Sequence, residues 1–165
     1  NCGYAMTANP IINNIRWSDY YQYVNLNTSR SDDWREIIKD YDACNNTRKL
    51  IQAGDASKYP AAWAAYEYAP PTAPETKGKW CIPAAGVAYS ILNNFQKIDN
   101  TMEEINQKSD IRAQTLVSPY ISYSTVWTST EFSSSNMWVL QPKDQSIGNV
   151  SKSVFYGYYR PVIEF

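Results

Sequence analysis

Acidic side chains are the residues of this sequence whose types and spacing could carry out catalysis. The 165-residue chain contains no histidine, which excludes Ser-His-Asp and Cys-His nucleophile arrangements and His-ligated zinc or iron sites. Glycoside hydrolysis needs only two acids that flank the bond to be cleaved. Two adjacent acidic pairs, Asp32-Asp33 and Glu103-Glu104, are therefore the candidates for this chemistry.

Both acidic pairs also stand where helices are expected to begin. Asp33 precedes Glu36 by three residues, and Thr101 precedes Glu104 by three, which is the spacing of a capping box. Carboxylates are favourable near the free N–H groups of a helix N-terminus. Helix initiation explains these acids better than catalysis does, so we expect no enzymatic activity. A carboxylate-dependent glycoside hydrolase is kept as an alternative.

The sequence lacks the motifs of nucleotide and metal sites. It contains no G-x-G-x-x-G or G-x-x-x-x-G-K-[ST] phosphate loop and no EF-hand calcium loop. Lys and Arg total 15 against 16 Asp and Glu, and no cationic run exceeds two residues, unlike the basic surface of a nucleic-acid-binding protein. We expect no cofactor, no metal ion and no nucleic-acid partner.

The composition is rich in aromatic residues, with 6 Trp, 14 Tyr and 4 Phe. A surface that combines Tyr, Trp and Asn can stack on and hydrogen-bond to neutral polar ligands such as sugars. An ordinary extracellular domain has the same composition. No apolar stretch reaches the 18 or so residues that a transmembrane helix needs, so we expect no transmembrane segment.

Three cysteines, Cys2, Cys44 and Cys81, have neither C-x-x-C spacing nor a histidine partner, which argues against a zinc site. Any disulfide among them leaves one thiol over. A bridge between Cys44 and Cys81 is favoured because Cys2 lies at a chain end. Three unpaired cysteines are the alternative.

Local patterns predict helices first and strands afterwards. Helices are expected over 31–41, 45–54, 59–69 and 79–95 and from Thr101 onward, with Asn45 as a cap and Pro60 and Pro83 in first turns. From 117 to 165 the sequence favours successive antiparallel strands, with turns at 133–136, at 148–149 and at Gly157. This order predicts an α+β domain.

Three segments match the N-glycosylation sequon, beginning at Asn27, Asn45 and Asn149. A chain rich in Asn and Ser produces such matches by chance, and we prefer that explanation. The match at 45–47 is also explained by the predicted helix cap.

Four ordered motifs resemble a bacterial secreted domain family named after the C-terminal domain of the Legionella collagen-like protein. The segments are "DACNNT" at 42–47, "WCIPAAG" at 80–86, "VWTSTEFSSSNMWVL" at 126–140 and "YRPVIEF" at 159–165. The family's W-x-L-P motif opens a helix, and its W-[ST]-S-[ST]-E, N-x-W and V-R-P-V motifs lie on strands. The matching positions include Trp80, Ile82, Pro83, Trp127, Glu131, Asn136, Trp138, Arg160, Pro161 and Val162.

The resemblance implies a C-type-lectin-like domain over 42–165, in which helices precede a twisted antiparallel sheet. Residues 1–41 are then an N-terminal elaboration or the end of a preceding domain. Val87 and Ala43 replace the Glu and Gly that are common in the family. The E-P-N, Q-P-D and W-N-D motifs of calcium-dependent lectins are absent, and no cysteine follows Cys81 to supply the chemistry of the lectin-like formylglycine-generating enzymes.

The resemblance further implies a non-catalytic binding or adhesion module of a secreted or cell-surface bacterial protein, exposed on the outer membrane or held in the periplasm. Its partner would be a glycan or a surface protein; a structural or protein-interaction module is the alternative. We expect ligand contacts from polar residues of two connections, although solvated turns explain the same residues. These contacts are Glu131, Asn136, Asp144 and Gln145.

Six of the motif residues are assigned structural roles: Trp80, Pro83, Trp127, Trp138, Arg160 and Pro161. Trp127 and Trp138 are predicted to be core aromatics on adjacent strands, because Trp in an alternating strand is usually a packing residue. Residues 131–136 would form the connection between those strands. Arg160 is predicted to form an ion pair with Glu131.

Overall fold

Five α-helices and seven strands lie in the part of the chain that the computed structural model describes, residues 3–9, 15–24, 26, 33–110, 112–113, 125–141, 144, 146–154 and 157–165. The helices are α1 Trp34–Ile37, α2 Ala43–Ala53, α3 Pro60–Glu67, α4 Ala85–Asn93 and α5 Phe95–Lys108. The strands are β1 Tyr4–Met6, β2 Trp80–Cys81, β3 Thr125–Glu131, β4 Asn136–Gln141, β5 Ser146–Ser151, β6 Gly157–Tyr158 and β7 Val162–Glu164. The α+β class is thereby confirmed.

Three local helix signals are confirmed. The carboxylate of Asp33 accepts a hydrogen bond from the Arg35 N–H (3.0 Å), and α1 begins one residue after Asp33. Pro60 is the first residue of α3, where its missing N–H has no cost. Gly54 follows the last residue of α2. Helix α1 is one turn long, however, and does not reach residue 41 as predicted.

Three predicted helix starts are wrong. Helix α2 begins at Ala43, so Asn45 lies inside it and does not cap it. Helix α5 runs continuously from Phe95, and the Thr101 hydroxyl donates to the Lys97 carbonyl one turn back (2.9 Å) instead of capping a new helix. Pro83 precedes α4, which begins at Ala85.

The strands form two small sheets. Antiparallel strands make up the first sheet, in the order β1-β7-β2. The second has the order β5-β4-β3-β6, with antiparallel pairs except for β3 and β6, which are parallel. The predicted connection over 133–136 is confirmed, since residues 132–135 join β3 to β4.

The other two predicted turns are wrong. Gly148 and Asn149 lie within β5, opposite Val139 and Trp138 of β4, and Gly157 begins β6. The parallel pairing of β6 also departs from the succession of antiparallel strands expected from the sequence. Cross-strand pairing overrides the local turn propensity of glycine and asparagine at these positions.

The core lies between α2, α3 and the second sheet, and it confirms both predicted core tryptophans. Trp127 is fully buried in a cluster with Trp17, Tyr59 and Tyr159. Trp138 is 4% exposed and packs in a neighbouring cluster with Ile37 and Ala85. Trp80 is also buried, and its indole N–H donates to the Thr76 hydroxyl (2.8 Å).

Residues before position 42 bond to both sheets. Strand β1 pairs with β7, in the register Tyr4↔Glu164, and Gly3 exchanges two backbone hydrogen bonds with Phe165. Trp17 donates its indole N–H to the Thr128 carbonyl of β3 (2.8 Å).

The disulfide favoured by the sequence is confirmed, and it joins α2 to β2 through Cys44 and Cys81. None of the helices in the described ranges has the length and apolar character needed to cross a membrane.

Candidate ligand-binding groove

An open groove of about 1080 Å³ lies between the loop after α1, helix α4 and strands β1 and β7. Its volume is close to the upper end for small-molecule sites. Both apolar side chains, aromatic and aliphatic, and polar groups, hydroxyl, amide and carboxylate, line this groove. The residues that line it include Tyr4, Met6, Glu36, Lys39, Asp40, Tyr41, Asp42, Ser90, Asn94, Thr130 and Glu164.

Asp40 is the most constrained carboxylate of the groove. Its Oδ2 accepts hydrogen bonds from the Thr130 hydroxyl (2.7 Å) and the Asn46 amide (3.0 Å), and its Oδ1 accepts one from the Asp42 N–H (3.0 Å). Its backbone carbonyl accepts the Gly86 N–H (2.7 Å). The side chain therefore joins the loop after α1 to α2 and β3, and the backbone carbonyl joins it to α4.

Burial raises the pKa of the Asp40 carboxyl above its ordinary value of 3.8, because the charged form loses hydration. Hydrogen bonds from Thr130, Asp42 and Asn46 favour the charged form and act in the opposite direction, while the charge of Asp42 adds to the increase. Burial outweighs the hydrogen bonds. Asp40 is thus protonated more readily than an exposed aspartate.

Gly86, in the first turn of α4, permits the close approach that forms one edge of the groove. A Cβ at this position would lie 2.5 Å from the Ile38 carbonyl oxygen and 2.6 Å from that of Asp40. Both contacts are to backbone, which cannot move aside without displacing the loop. Only glycine allows α4 to begin against the loop that carries Asp40.

Tyr41 supplies an exposed aromatic ring to the groove. Its side chain is 51% exposed, and its hydroxyl shares a hydrogen bond with the Ser90 hydroxyl of α4 (3.2 Å). The Tyr4 hydroxyl donates to the Tyr41 carbonyl (2.6 Å), which fixes the loop against β1. Tyr41 is therefore held at its backbone carbonyl and at its hydroxyl, and it still remains half exposed. Stacking on a sugar needs an exposed aromatic side chain of this kind.

Glu131, which was predicted to contact a ligand from an exposed connection, lies in the interior instead. The prediction that it is exposed is wrong. Its side chain is fully buried, and its carboxylate forms an ion pair with Lys152 (2.6 Å). Both carboxylate oxygens also accept the Val24 N–H (3.2 Å each). Lys152 Nζ donates in addition to the Gln22 carbonyl (3.0 Å). Glu131 thus fastens residues 22–24 to the second sheet.

The predicted pair of Arg160 with Glu131 is wrong as well. Arg160 donates from Nη1 to the backbone carbonyls of Ala8 (2.7 Å) and Thr7 (3.3 Å). Glu131 pairs instead with Lys152, whose N–H bonds to the carbonyl of Ser135 in the connection between β3 and β4. The cation beside Glu131 thus comes from the residue that follows β5.

Two of the remaining predicted ligand contacts, Asn136 and Asp144, do not line the groove. Asn136 is half-buried and donates its amide to Asn149 Oδ1 (2.8 Å). Asp144 is exposed, and Gln145 lies outside the described residues. Pro83 and Pro161 are buried, and the Pro83 carbonyl accepts the Ser129 N–H (2.9 Å).

Sequence reasoning missed the groove because it assigned Asp40 and Tyr41 to the end of a helix. The one signal that could have found it is Asp42, which opens the "DACNNT" motif and lines the groove. Asp40 and Thr130 are 90 residues apart in sequence, and no local pattern indicates that they meet.

The carboxylates of the groove differ in how many protein donors they already have. The oxygens of Asp40 are already occupied by protein donors. Within the described ranges, no group of three His, Cys, Asp or Glu residues could hold a metal ion. No known protein family and no curated protein matches this sequence.

Proposed function

We propose that this chain is a non-catalytic binding module that holds a carbohydrate in the groove beside Asp40. The observation that supports the proposal most directly is the exposed ring of Tyr41 next to hydroxyl, amide and carboxylate groups in one open groove. Sugars bind in such places because their C–H faces stack on an aromatic ring while their hydroxyls need donors and acceptors.

The polar groups of the groove offer several hydrogen bonds to sugar hydroxyls. Asn94 of the α4–α5 junction and Ser90 of α4 lie along one side. Glu164 of β7 and Asp42 lie among the residues of the other walls. Each carboxylate can accept more than one hydrogen bond. An open groove of this kind accommodates part of a longer chain more readily than a single enclosed small molecule.

The motif resemblance bears on the fold and the location that we propose for the module. We place the module in a secreted or cell-surface bacterial protein with a C-type-lectin-like domain over 42–165. The four motifs that resemble the Legionella collagen-like family support this placement. The groove would then be an adhesion site. Asp42, the first residue of the "DACNNT" motif, lies in its lining.

A glycan array with the folded domain tests the proposal. We expect reproducible binding to one class of glycan. Tyr41→Ala should weaken that binding by about fivefold or more, the loss expected when one stacking contact is removed. Tyr21→Ala is the matched control, because Tyr21 is similarly exposed and does not line the groove.

Other outcomes would overturn the proposal in distinguishable ways. A blank array with a protein shown to be folded would favour a structural or protein-interaction module. Equal weakening by Tyr41→Ala and Tyr21→Ala would place the site elsewhere. Release of shorter sugars from a bound oligosaccharide, lost in Asp40→Asn, would establish the glycoside hydrolase alternative.

A further inference from the structure

The charges that line the groove are strongly unbalanced. Its described lining contains four carboxylates, those of Glu36, Asp40, Asp42 and Glu164, and a single cationic side chain, Lys39. The whole chain is nearly neutral, with 15 Lys and Arg against 16 Asp and Glu. The negative charge of the groove is therefore a local concentration and does not follow from an acidic composition.

The ammonium group of Lys39 is already paired. Its Nζ lies 2.7 and 2.8 Å from the two carboxylate oxygens of Glu36, one turn earlier in the chain. Among the described residues, no ion pair involves Asp40, Asp42 or Glu164. Three of the four carboxylates therefore have no cationic side chain of the described ranges in contact.

These carboxylates reach the groove from two separate elements that are held together. Asp40 and Asp42 lie on the loop after α1, and Glu164 lies on β7. Tyr4, the cross-strand partner of Glu164, donates its hydroxyl to the Tyr41 carbonyl between the two aspartates. The end of β7 is thus fixed beside the loop.

Asp42 and Glu164 both have carboxylate oxygens that accept no hydrogen bond from the described residues. Asp42 Oδ2 accepts the Asn45 amide (2.8 Å), whereas its Oδ1 accepts no hydrogen bond within the described part of the chain. Glu164 also borders a smaller crevice that contains Arg48 and Lys79. No ion pair joins Glu164 to either of them among the described residues, so its charge still contributes to the groove.

We propose that the saccharide bound in this groove carries a free amino group, as in a hexosamine unit that is not acetylated. This inference depends on the proposed carbohydrate-binding function. A groove lined with charges of one sign concentrates its field and attracts ligands of the opposite sign. Hydrogen bonds from an ammonium group to Asp42 or Glu164 are charge-assisted and stronger than those from a hydroxyl. Anionic sugars are repelled.

Titration calorimetry with two oligosaccharides of the same ring, linkage and length tests the inference. One is an oligomer of glucosamine and the other is its N-acetylated counterpart, so the amine alone differs. At about pH 6, where an amine of this kind is protonated, we expect the glucosamine oligomer to bind about fivefold tighter or more, as one partly exposed ion pair predicts. About 0.5 M salt should remove most of the difference.

Charge-neutralising variants show whether the groove is responsible. Asp42→Asn and Glu164→Gln should each reduce the preference for the glucosamine oligomer, measured within each variant as the ratio of its affinities for the two oligomers. Asp144→Asn is the matched control, because it removes the same charge from an exposed residue that does not line the groove. This control should retain the full preference.

The outcomes separate this inference from the proposed function. Equal affinities for the two oligomers, or a preference lowered as much by Asp144→Asn as by Asp42→Asn, would overturn the inference. The proposed function would still hold in that case if binding depended on Tyr41. If the folded protein bound neither these oligomers nor any glycan on the array, the proposed function would fail and this inference with it.

Discussion

Two opposing effects act on the charged form of the Asp40 carboxylate: hydrogen bonds stabilise it and burial destabilises it. Three protein groups donate hydrogen bonds to its carboxylate, yet burial raises its pKa above 3.8. Hydrogen bonds compensate only part of the hydration that a carboxylate loses on burial. The residue therefore organises the groove at a cost that depends on pH.

Asp40→Asn should change the pH dependence of stability. The folded pKa of Asp40 lies above the unfolded value, so its contribution to stability is fully present below about pH 3.8 and is lost as pH rises through the folded pKa. The amide of the variant does not titrate and lacks this decline. Denaturant unfolding of both proteins from about pH 3 to pH 8 measures the difference, and parallel pH profiles would contradict the assignment.

Glu131 and Lys152 form a pair in which both side chains are fully buried. Burial lowers the pKa of Lys152 below 10.5, although the hydrogen bond and the charge of Glu131 act in the opposite direction. Breaking a buried pair leaves one charge without compensation. Removing one partner should therefore cost more stability than the intact pair contributes.

Glu131→Gln should destabilise the fold by about 3–5 kcal/mol, because the Lys152 ammonium loses its ionic partner in the interior. The double variant Glu131→Gln/Lys152→Met should recover part of that loss. Denaturant unfolding of the two single variants and the double variant measures the coupling. Glu36→Gln, which breaks the exposed pair with Lys39, should change stability little. Additive losses in the double variant would contradict the coupling.

The individual helices and strands show where local sequence signals are sufficient. Asp33, Pro60 and Gly54 act through their own backbone neighbours, and the helix boundaries that they predict are found. Thr101 has a capping-box pattern, but helix α5 continues through it because the preceding residues from Phe95 are already helical. Gly148 lies in a strand since β4 pairs with it.

The groove could not be predicted in the same way, because its parts belong to different elements. Tyr41 continues the helical spacing of Trp34, Ile37 and Ile38, which favoured a longer helix that included Asp40. Helix α1 ends instead at Ile37, and the Asp40 carbonyl in the loop that follows accepts the Gly86 N–H. That contact joins residues 46 positions apart, and periodicity along one segment contains no information about it.

Gly86→Ala should destabilise the protein by about 3 kcal/mol, since the added Cβ would overlap the backbone carbonyls of Ile38 and Asp40. The denaturant midpoint at constant m-value measures this change. Gly148→Ala is the matched control, because nothing lies within 4 Å of the Cβ that it would add. Similar stability of the two variants would contradict the close packing of α4 against the loop.

One disulfide crosslinks the chain. The bond between Cys44 and Cys81 spans 37 residues of sequence, and the enclosed segment contains α3 and most of α2. A crosslink of this span lowers the entropy of the unfolded chain and so stabilises the folded one. The pairing was predicted from the position of Cys2 at a chain end, and only the structure excludes the alternatives.

Cys44→Ala/Cys81→Ala should lower the free energy of unfolding by about 4 kcal/mol, the value that loop-closure entropy gives for this span. Guanidinium unfolding of the variant and of the oxidised wild type measures the difference. Cys2→Ala, which leaves the bridge intact, is the control and should unfold like the wild type. Equal stability of all three proteins would show that the crosslink contributes nothing.

The pairing of β1 with β7 sets how this protein responds to mechanical force. Gly3 and Phe165 face each other at one end of an antiparallel ladder, so a pull between them loads one hydrogen-bonded pair at a time. We therefore expect strand β1 to separate from β7 before the larger sheet is strained. Because Tyr4 and Met6 leave the groove with it, tension between these two points weakens the hold on whatever the groove contains.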